Sequence, residues 1–575
     1  MIASKRKIAI AILASGLASP AAVAQTPLSA TLISQTSSRD SIDARKRALR
    51  AQNKFEMVRR FNLPVQYTSL RQSCDAHIGR FCQWNEGDQE PPREPIPIRD
   101  AREELIRTLE AEAARSPGDD WITGQLVRYL LEAGRDSAAV RAAVACSGTR
   151  WWCDALRGLA LHEARAGAAA DSAFKRALAA MPERERCRWT DMTVLLDPAQ
   201  RKRYGKVGCG RREELAARLW WLADPFLALP GNDRQVEHYS RHVMSRILDG
   251  TRAGYDVRWG DDLRELVVRY GWSRYWTVSP PSSSLDTRQG TISGHEASPN
   301  YHFFPTSLVI DSATSIGDST WSLRHRFSPE RYSPRVAPLV DELVPQIALF
   351  RRGDSVQVVA AYDVSRDTAY VGGTVRSALV LARDERDQPV VSELTLPRGW
   401  HSVTVDETPR VLSIETWNPQ KKRGARLRQG LWLPRRAANS IAVSDILLFD
   451  ASPDVSDLAS ILPHSIGSLT VARDRKLGVY WEAYGLARPD SALPVSLTLT
   501  RMEGGLRRLA QAIGLGKRSS PLSIAWRETP SMGGIASRSV VLDLSLIPRG
   551  RYKLKLELKP SSSPPVTAGR IIEIR

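Results

Sequence analysis

The spacing of hydrophobic residues changes along the chain. Between 98 and 183 apolar residues recur every three to four positions, whereas from about 338 onward they alternate with polar residues in short runs separated by Gly, Asp and Pro. The first period predicts amphipathic helices, and the second predicts strands that bury one face. The sequence therefore predicts a multidomain α+β protein, in which N-terminal α-helical repeats precede two antiparallel β-sandwiches over 338–452 and 465–575.

The second β region carries the more specific strand pattern. A Gly-x-Tyr-x-Leu-x-Leu run from Gly550 to Leu556 precedes a terminal strand. This order resembles the end of an immunoglobulin or fibronectin type III sandwich. The run 439–450 either ends or extends the first sandwich, and 455–467 is predicted to be a short helix or turn.

An amphipathic stretch interrupts these later strands. Its apolar positions have helical spacing, and basic residues surround them: Leu506, Leu509, Ala510 and Ile513, with Arg507, Arg508, Lys517 and Arg518. The pattern predicts an inserted helix that either covers the end of a sheet or docks on an anionic membrane.

The helical region 98–204 resembles tetratricopeptide repeats. The resemblance depends on small residues at a helix crossing, a ring that fills the gap and a proline that ends the pair: Gly158, Leu161, Ala170, Phe174, Ala177 and Pro182. An earlier unit has Leu126, Leu130, Ala139 and Ala143 in similar roles. The resemblance implies an array that binds a protein or peptide in its concave face, although a short array is also compatible with a spacer.

The segment 205–277 joins the helices to the strands. The Asp224-Pro225 pair is predicted to stop a helix that contains Leu219, Trp220 and Trp221. Asn232 and Asp233 can then cap a new helix. Its apolar positions are Val236, Tyr239, Val243 and Ile247. The run from 263 to 270 is compatible with either a strand or a final helical turn.

This segment is similar to the GWxTD domain family at separate positions: Trp220, Asp224, Pro225, Asn232, Asp233, Glu237, Tyr239, Arg241, Trp259, Asp262, Tyr270 and Gly271. The signature itself is half present, because Arg258 and Asp261 replace its Gly and Thr, and Ala223 replaces an Arg upstream. The chain thus resembles a diverged member. The resemblance implies a multidomain envelope or secreted protein and supplies no catalytic residues.

Two readings of the motif side chains stay open. Trp220 and Trp259 can be core residues whose indole N–H groups need a partner, with Asp262 as a nearby acceptor or cap. The same residues can instead form a ligand groove.

The N-terminus predicts export. Lys5-Arg6-Lys7 precedes a short apolar run and an Ala22-Val23-Ala24 cleavage site, which is typical of a signal peptide over 1–24. Residues 25–97 follow as a charged helix and a proline-rich tether, and 278–337 is predicted to be a long loop or linker. The later sequence contains no apolar run of transmembrane length. We therefore expect a periplasmic or secreted protein.

Six cysteines fit an oxidising compartment. They lie at Cys74, Cys82, Cys146, Cys153, Cys187 and Cys209. Fifteen pairings are possible, of which sequential pairing is the simplest. A metal site is less favoured because the chain contains no C-x-x-C.

Charge and motifs narrow the classes of function. The net charge of +19 suits anionic partners, but the basic residues are interleaved with acidic ones and accompany no nucleic-acid-binding motif. No H-E-x-x-H, G-x-S-x-G or G-x-G-x-x-G occurs. His238 and His242 have metal-ligand spacing on a predicted helix, and His295, Glu296 and His302 lie close together in the long loop.

The sequence favours an exported non-enzymatic scaffold that binds a protein or glycan partner in the cell envelope, without cofactor, metal or nucleic acid. A first alternative is a secreted or periplasmic hydrolase with a site between 220 and 302. A second is a protein that contacts anionic membrane peripherally through the 506–518 helix.

Overall fold

The computed structural model describes residues 28–66, 74–83, 90–251, 257–279, 291–296, 301–314, 317, 321, 323, 329–433, 440–451, 457–486, 493–502, 521–528, 534–560 and 564–575. The predicted signal peptide and the 506–518 helix lie outside these residues. Within them, no helix has both the length and the apolar character that a bilayer crossing requires.

The N-terminal body consists of stacked antiparallel helices. It contains α1 (Leu28–Phe61), α2 (Ile96–Arg115), α3 (Asp120–Glu132), α4 (Asp136–Val144), α5 (Arg150–Glu163) and α6 (Gly167–Ala180). Asp119 begins α3 by accepting hydrogen bonds from the amides of Trp121 and Ile122. Gly158 lets α5 and α6 cross closely, because a Cβ there would lie 2.8 Å from the Phe174 ring. The small residue and the ring therefore have the complementary positions that the repeat pattern predicts.

The other repeat positions are apolar contacts. Ala170, Phe174 and Ala177 are buried, and Leu161 packs partly buried against the same core. The residues of the earlier unit are buried in the same core: Leu126, Leu130, Ala139 and Ala143. Pro182 lies at the N-cap of the helix after α6.

A second group of helices packs beside these repeats. It comprises α7 (Glu183–Trp189), α8 (Pro198–Gly205), α9 (Glu213–Ala223), α10 (Asp233–Leu248), α11 (Asp261–Tyr270) and α12 (Ser307–Ser312), with the hairpins β1 (Ala76–Ile78)–β2 (Phe81–Gln83) and β3 (Tyr275–Ser279)–β4 (Thr291–His295). The open choice at 263–270 is thereby resolved in favour of a helix.

The predicted linker 278–337 is more ordered than expected. It contributes most of the β3–β4 hairpin and α12, and Tyr301, Phe303 and Phe304 are buried in one core with Trp220. The polar and proline-rich composition of this segment predicts a loop, although its three aromatic residues are buried. The described parts of 278–337 therefore belong to the packed body.

The three disulfides follow the sequential pairing. Cys74–Cys82 closes the β1–β2 hairpin, Cys146–Cys153 joins the end of α4 to the start of α5, and Cys187–Cys209 joins α7 to the turn before α9. All six cysteines are used.

The first sandwich contains β5 (Leu339–Glu342), β6 (Gln346–Arg352), β7 (Ser355–Asp363), β8 (Arg376–Ala382), β9 (Val390–Leu394), β10 (Arg398–Asp406), β11 (Arg410–Asn418) and β12 (Arg423–Leu431). One sheet has the order β10-β7-β6 and the other β5-β12-β11-β8-β9. Their inner faces share one core, in which Val358 of β7 meets Leu379 of β8 and Leu412 of β11.

The second sandwich contains β13 (Ala442–Val443), β14 (Leu447–Asp450), β15 (Thr470–Val471), β16 (Lys476–Tyr484), β17 (Leu493–Arg501), β18 (Leu522–Glu528), β19 (Ile535–Asp543), β20 (Gly550–Leu558) and β21 (Val566–Ile574), with a short α13 (Leu458–Ile461). β13, β14 and β19 pair with β16, and the facing sheet has the order β15-β21-β20-β17-β18.

Both sandwiches have the strand order of immunoglobulin and fibronectin type III folds. In the first sandwich β7 pairs with β10, and in the second β16 pairs with β19. In each, the facing sheet begins with a short strand, β5 or β15, that runs parallel to the last strand, β12 or β21. The Tyr552 hydroxyl donates to the Pro548 carbonyl at 2.7 Å, as in the tyrosine corner of such folds. The predicted fold class is confirmed.

One predicted boundary differs from the structure. The run 442–450 pairs with β16 and belongs to the second sandwich, although it was assigned to the first, which was placed at 338–452. Short apolar strands next to a boundary fit either sheet by pattern alone. Phe350 and Tyr480 meet in a separate cluster between the two sandwiches, so the units pack directly on each other.

Candidate functional site

Helix α10 packs between the helical repeats and the helices α9 and α11. Asn232 begins it by accepting the Gln235 amide at 2.9 Å. Its charged residues Arg234, Glu237 and Arg241 are buried together with its apolar ones. Charged side chains are almost never fully buried unless they are paired, so each of these needs a partner inside the protein.

Helices α3, α5 and α6 of the helical repeats pack against α10. Gln125 of α3 donates to the Ile247 carbonyl at 2.7 Å, and the Phe174 and Tyr239 rings lie 5.6 Å apart. His162 of α5 shares a 2.8 Å hydrogen bond with Glu237. One side of the helical repeats is therefore covered by the chain's own helix.

A buried ionic network surrounds Glu237. Arg241 donates to it at 2.7 Å, and Arg335 approaches it at 3.5 Å while pairing with Glu163 at 2.6 Å. Burial raises the pKa of Glu237, but the guanidinium groups of Arg241 and Arg335 outweigh burial, so this pKa lies well below its usual value. Glu237 is therefore held as a carboxylate.

A second network lies at the start of α10. Arg234 pairs with Glu330, and both side chains are fully buried. His302 contacts the same carboxylate at 2.9 Å. Burial raises the pKa of Glu330, but Arg234 has the larger opposing effect together with His302, and the pKa is lowered. Tyr332 donates a hydrogen bond to Asp233 beside this pair.

The sequence-predicted histidines do not form a shared centre. The His238 and His242 rings are 4.7 Å apart, and burial lowers the pKa of His242 to about 3. His295 bonds to Thr277 at 2.7 Å, whereas His302 bonds to Glu330. Among the described residues, no group of three or more His, Cys, Asp or Glu side chains is arranged to hold a metal ion.

Glu296, the remaining member of the loop group, lies at the end of α11. A Cβ on Gly271 would lie 2.3 Å from its carboxylate, and Gly271 has a φ of +84°. Only glycine adopts that backbone conformation readily. The Glu296 carbonyl accepts a hydrogen bond from Arg331 at 2.6 Å.

The motif residues divide into two neighbouring groups. Trp220 lies against the His238 ring, with centroids 5.1 Å apart, and Asp224 and Pro225 follow α9. Around α11, Asp262 accepts from Arg80 at 2.6 Å and so ties the β1–β2 hairpin to this helix. Tyr270 is buried, whereas Trp259 is partly buried against the helical core.

Asp224 and Pro225 attach the helical body to the first sandwich. Arg426 donates to both of their carbonyls, at 2.8 and 2.9 Å. Phe226 packs against the sheet where Gly424 leaves space, since a Cβ there would lie 2.6 Å from its ring. Burial raises the pKa of the Asp224 carboxyl well above its usual value. The Asp-Pro turn that the sequence places at a helix end is thus also a domain junction.

Two cavities flank α10. The first, of about 330 Å³, lies where the α5–α6 turn, the 224–233 segment and the first sandwich meet. Phe226 and Leu229 form part of its apolar wall, and Asp233 and Arg335 form part of its polar wall. The second, of about 260 Å³, is lined by Trp259, Trp272 and Trp276. Both are near the lower size limit for small-ligand sites, roughly 300 Å³.

Sequence reasoning missed Glu163, Arg335 and Glu330, the partners of the α10 charges. They lie far from α10 in sequence, and no local motif marks them. One usable signal was Arg234, which shares a helical face with Glu237 and Arg241 at spacings of three and four. Charges in a row on a helix with apolar neighbours indicate an internal ionic network.

Neither protein-family models nor curated proteins give a match to the chain. Among solved structures, the FN1–FN3 domains of chicken CNTN1 match with 11% identity over 41% of this chain and 69% of that chain, with a TM-score of 0.14. A two-domain fibronectin type III segment of chicken tenascin matches with 9% identity over 40% and 99% respectively, with a TM-score of 0.11. The assignment of the sandwiches therefore depends on their own strand order.

Proposed function

We propose that this protein is an exported, non-enzymatic scaffold of the cell envelope that binds a protein or glycan partner. The observation that carries the proposal is the covered side of the repeats beside two open cavities. A partner that used this side of the repeats would have to displace α10. The cavities, in contrast, are accessible without unfolding anything.

Export is the second element of the proposal. Three disulfides are typical of the periplasm or the extracellular space. The signal peptide predicted over 1–24 supplies the route. The resemblance to the GWxTD family, as a diverged member, is compatible with this location and stays a prediction.

The buried charges support a structural role for α10. Glu237 pairs with both Arg241 and Arg335, and Arg241 also donates to backbone carbonyls, which orders the helix between the repeats and the sandwich. Burial also keeps His238 and His242 neutral by lowering the pKa of both. We interpret these groups as the frame that shapes the two cavities.

The test is in-cell crosslinking of the tagged mature protein, followed by affinity capture and mass spectrometry. We expect one stoichiometric envelope partner whose crosslinks fall around the cavities. A protein that stays monomeric and captures no stoichiometric partner or glycan would contradict the proposal.

A pair of variants locates the partner. Ala168 lines the junction cavity and Ala169 does not, although both are exposed neighbours at the start of α6. Ala168→Trp should fill the cavity and lower capture of a partner bound there, whereas Ala169→Trp should not. Equal capture by both variants would exclude the junction cavity as the contact.

A further inference from the structure

The second cavity has the chemistry of an aromatic binding site. It lies between α3, α10 and α11, and Trp259, Trp272 and Trp276 line it. Met244 and Leu248 of α10 form part of its apolar wall, together with aliphatic residues of α3 and α11. An indole offers two flat apolar faces and one N–H donor. A guanidinium group covers one face of two of these rings, since Arg59 lies 4.2 Å from the Trp276 centroid and Arg274 lies 4.3 Å from the Trp272 centroid, and the opposite faces stay available to a ligand.

Two of these indoles have unused donors. The Nε1 atoms of Trp259 and Trp276 are buried and have no hydrogen-bond partner among the residues that the structure describes. A buried indole N–H normally finds an acceptor, and leaving one unmade costs about 1–3 kcal/mol. Neither nitrogen is exposed to solvent, so a ligand that carries oxygen acceptors would remove that cost after a small shift of the two rings.

The charged groups at the cavity edge are already paired. Arg128 contacts Glu132 at 3.0 Å and Glu56 at 3.3 Å, and Arg274 contacts Glu163 at 3.0 Å. Each charge therefore has its counter-ion within the protein. This pairing favours a neutral polar ligand over an ion, because an ionic ligand would have to compete with an internal salt bridge.

A further cavity adjoins the first. It measures about 250 Å³, and the two share Glu132, Arg274 and Trp276 in their walls. Tyr275 adds another ring on its side. Two small cavities with a shared tryptophan match two successive units of a chain better than one large compact molecule.

We propose that these adjoining cavities bind neighbouring rings of a neutral glycan. A sugar ring presents a face of C–H groups, which suits the negative face of an indole, and a rim of hydroxyl groups, which can accept from the Trp259 and Trp276 donors. The proposal rests on the proposed binding function and narrows its partner to a glycan.

The first test is isothermal titration of the mature protein with three neutral probes: N-acetylglucosamine, its β-1,4-linked trimer, and maltotriose. We expect at least one of the two trisaccharides to bind. If the N-acetylglucosamine trimer binds, its affinity should be at least tenfold higher than that of its monomer. Absence of binding by all three probes at tens of millimolar would overturn the proposal.

The variants test the donors separately from the rings. Trp276→Phe keeps an aromatic ring and removes one N–H, so we expect the Kd to rise by about two- to tenfold. Trp400→Phe is the matched control, because Trp400 lies on the first sandwich, away from both cavities. Equal affinities for the two variants would contradict a role for the Trp276 donor.

Oxidative footprinting of the unmodified protein gives an answer even where a variant misfolds. The bound trisaccharide should protect the cavity tryptophans and leave Trp400 unprotected, as read by mass spectrometry. Equal protection of all tryptophans, or protection of none, would contradict the glycan site. Capture of an envelope protein to the same extent by wild type and Trp276→Phe, with no sugar bound, would leave the scaffold function standing and end only this inference.

Discussion

Replacing Glu415 with Gln should loosen the junction between the helical body and the first sandwich. The Glu415 carboxylate accepts from the Leu227 and Ala228 amides at 3.0 and 3.1 Å, from Ser413 at 2.6 Å, and from Arg428 at 3.2 Å. Glutamine keeps one side-chain oxygen as an acceptor. Its NH2 group, however, would face the N–H and O–H groups that now donate to Glu415. Both members of the ion pair are fully buried, so the change leaves the Arg428 charge uncompensated.

The expected loss is about 3–5 kcal/mol, the usual cost of removing one partner from a buried ion pair. Hydrogen exchange of the 222–229 peptide measures it at the junction itself, because the Leu227 and Ala228 amides are the groups held by Glu415. At about 1.4 kcal/mol per factor of ten, exchange there should be roughly a hundredfold to a few thousandfold faster.

Glu393→Gln is the control for this change. Glu393 pairs with Arg376 at 3.1 Å on the same sandwich, but both side chains are almost half exposed, at 48% and 46%. Such a pair contributes about 1 kcal/mol or less. If Glu415→Gln leaves exchange of the junction peptide at the rate seen for Glu393→Gln, the junction does not depend on this buried carboxylate.

Three further predictions concern the helical body. Gly158→Ala should lower the free energy of unfolding by about 1–3 kcal/mol in urea titrations, because the added methyl would lie 2.8 Å from the Phe174 ring, and Phe174→Leu should recover part of the loss. Burial lowers the pKa of His242 to about 3, so the unfolded chain takes up this proton first as pH falls below about 6.5. Between about pH 7.5 and 5.0 this group alone should lower the free energy of unfolding by about 2 kcal/mol, apart from the contribution of His238, and His242→Phe should abolish that part of the pH dependence. Cys187→Ser with Cys209→Ser opens a 22-residue loop and should lower stability by about 3 kcal/mol, measured against the reduced and oxidised wild type.

Local patterns predicted the parts of the fold that depend on neighbours in sequence. Gly158 and Phe174 are separated by one helical hairpin, and the spacing rule found both. Asn232 caps α10 because its side chain reaches an amide three residues on. Alternation gave the long strands, since a half-buried strand repeats every two residues.

Long-range pairing was not predictable in the same way. The strand 447–450 matches either sandwich by composition, and only its register with β16 assigns it to the second. Glu330 and Arg335 reach α10 from a segment whose composition predicts a loop. The candidate cavities also depend on long-range packing. Trp259 and Trp276 line the same cavity only after α11 and the β3–β4 hairpin have packed together.

Two buried arginines bind the ends of helices inside the molecule. Arg241 donates to the Val268 and Arg269 carbonyls at the end of α11, and Arg428 donates to the Leu222 carbonyl at the end of α9. The last carbonyls of a helix have no internal partner and carry partial negative charge, which the guanidinium fork satisfies. Glu237 and Glu415 are buried beside these arginines, so each pair contributes nothing to the net charge of +19. The buried pairs therefore carry no information about a charged partner, and the choice of ligand is better inferred from the tryptophan cavities, whose charged groups are already paired.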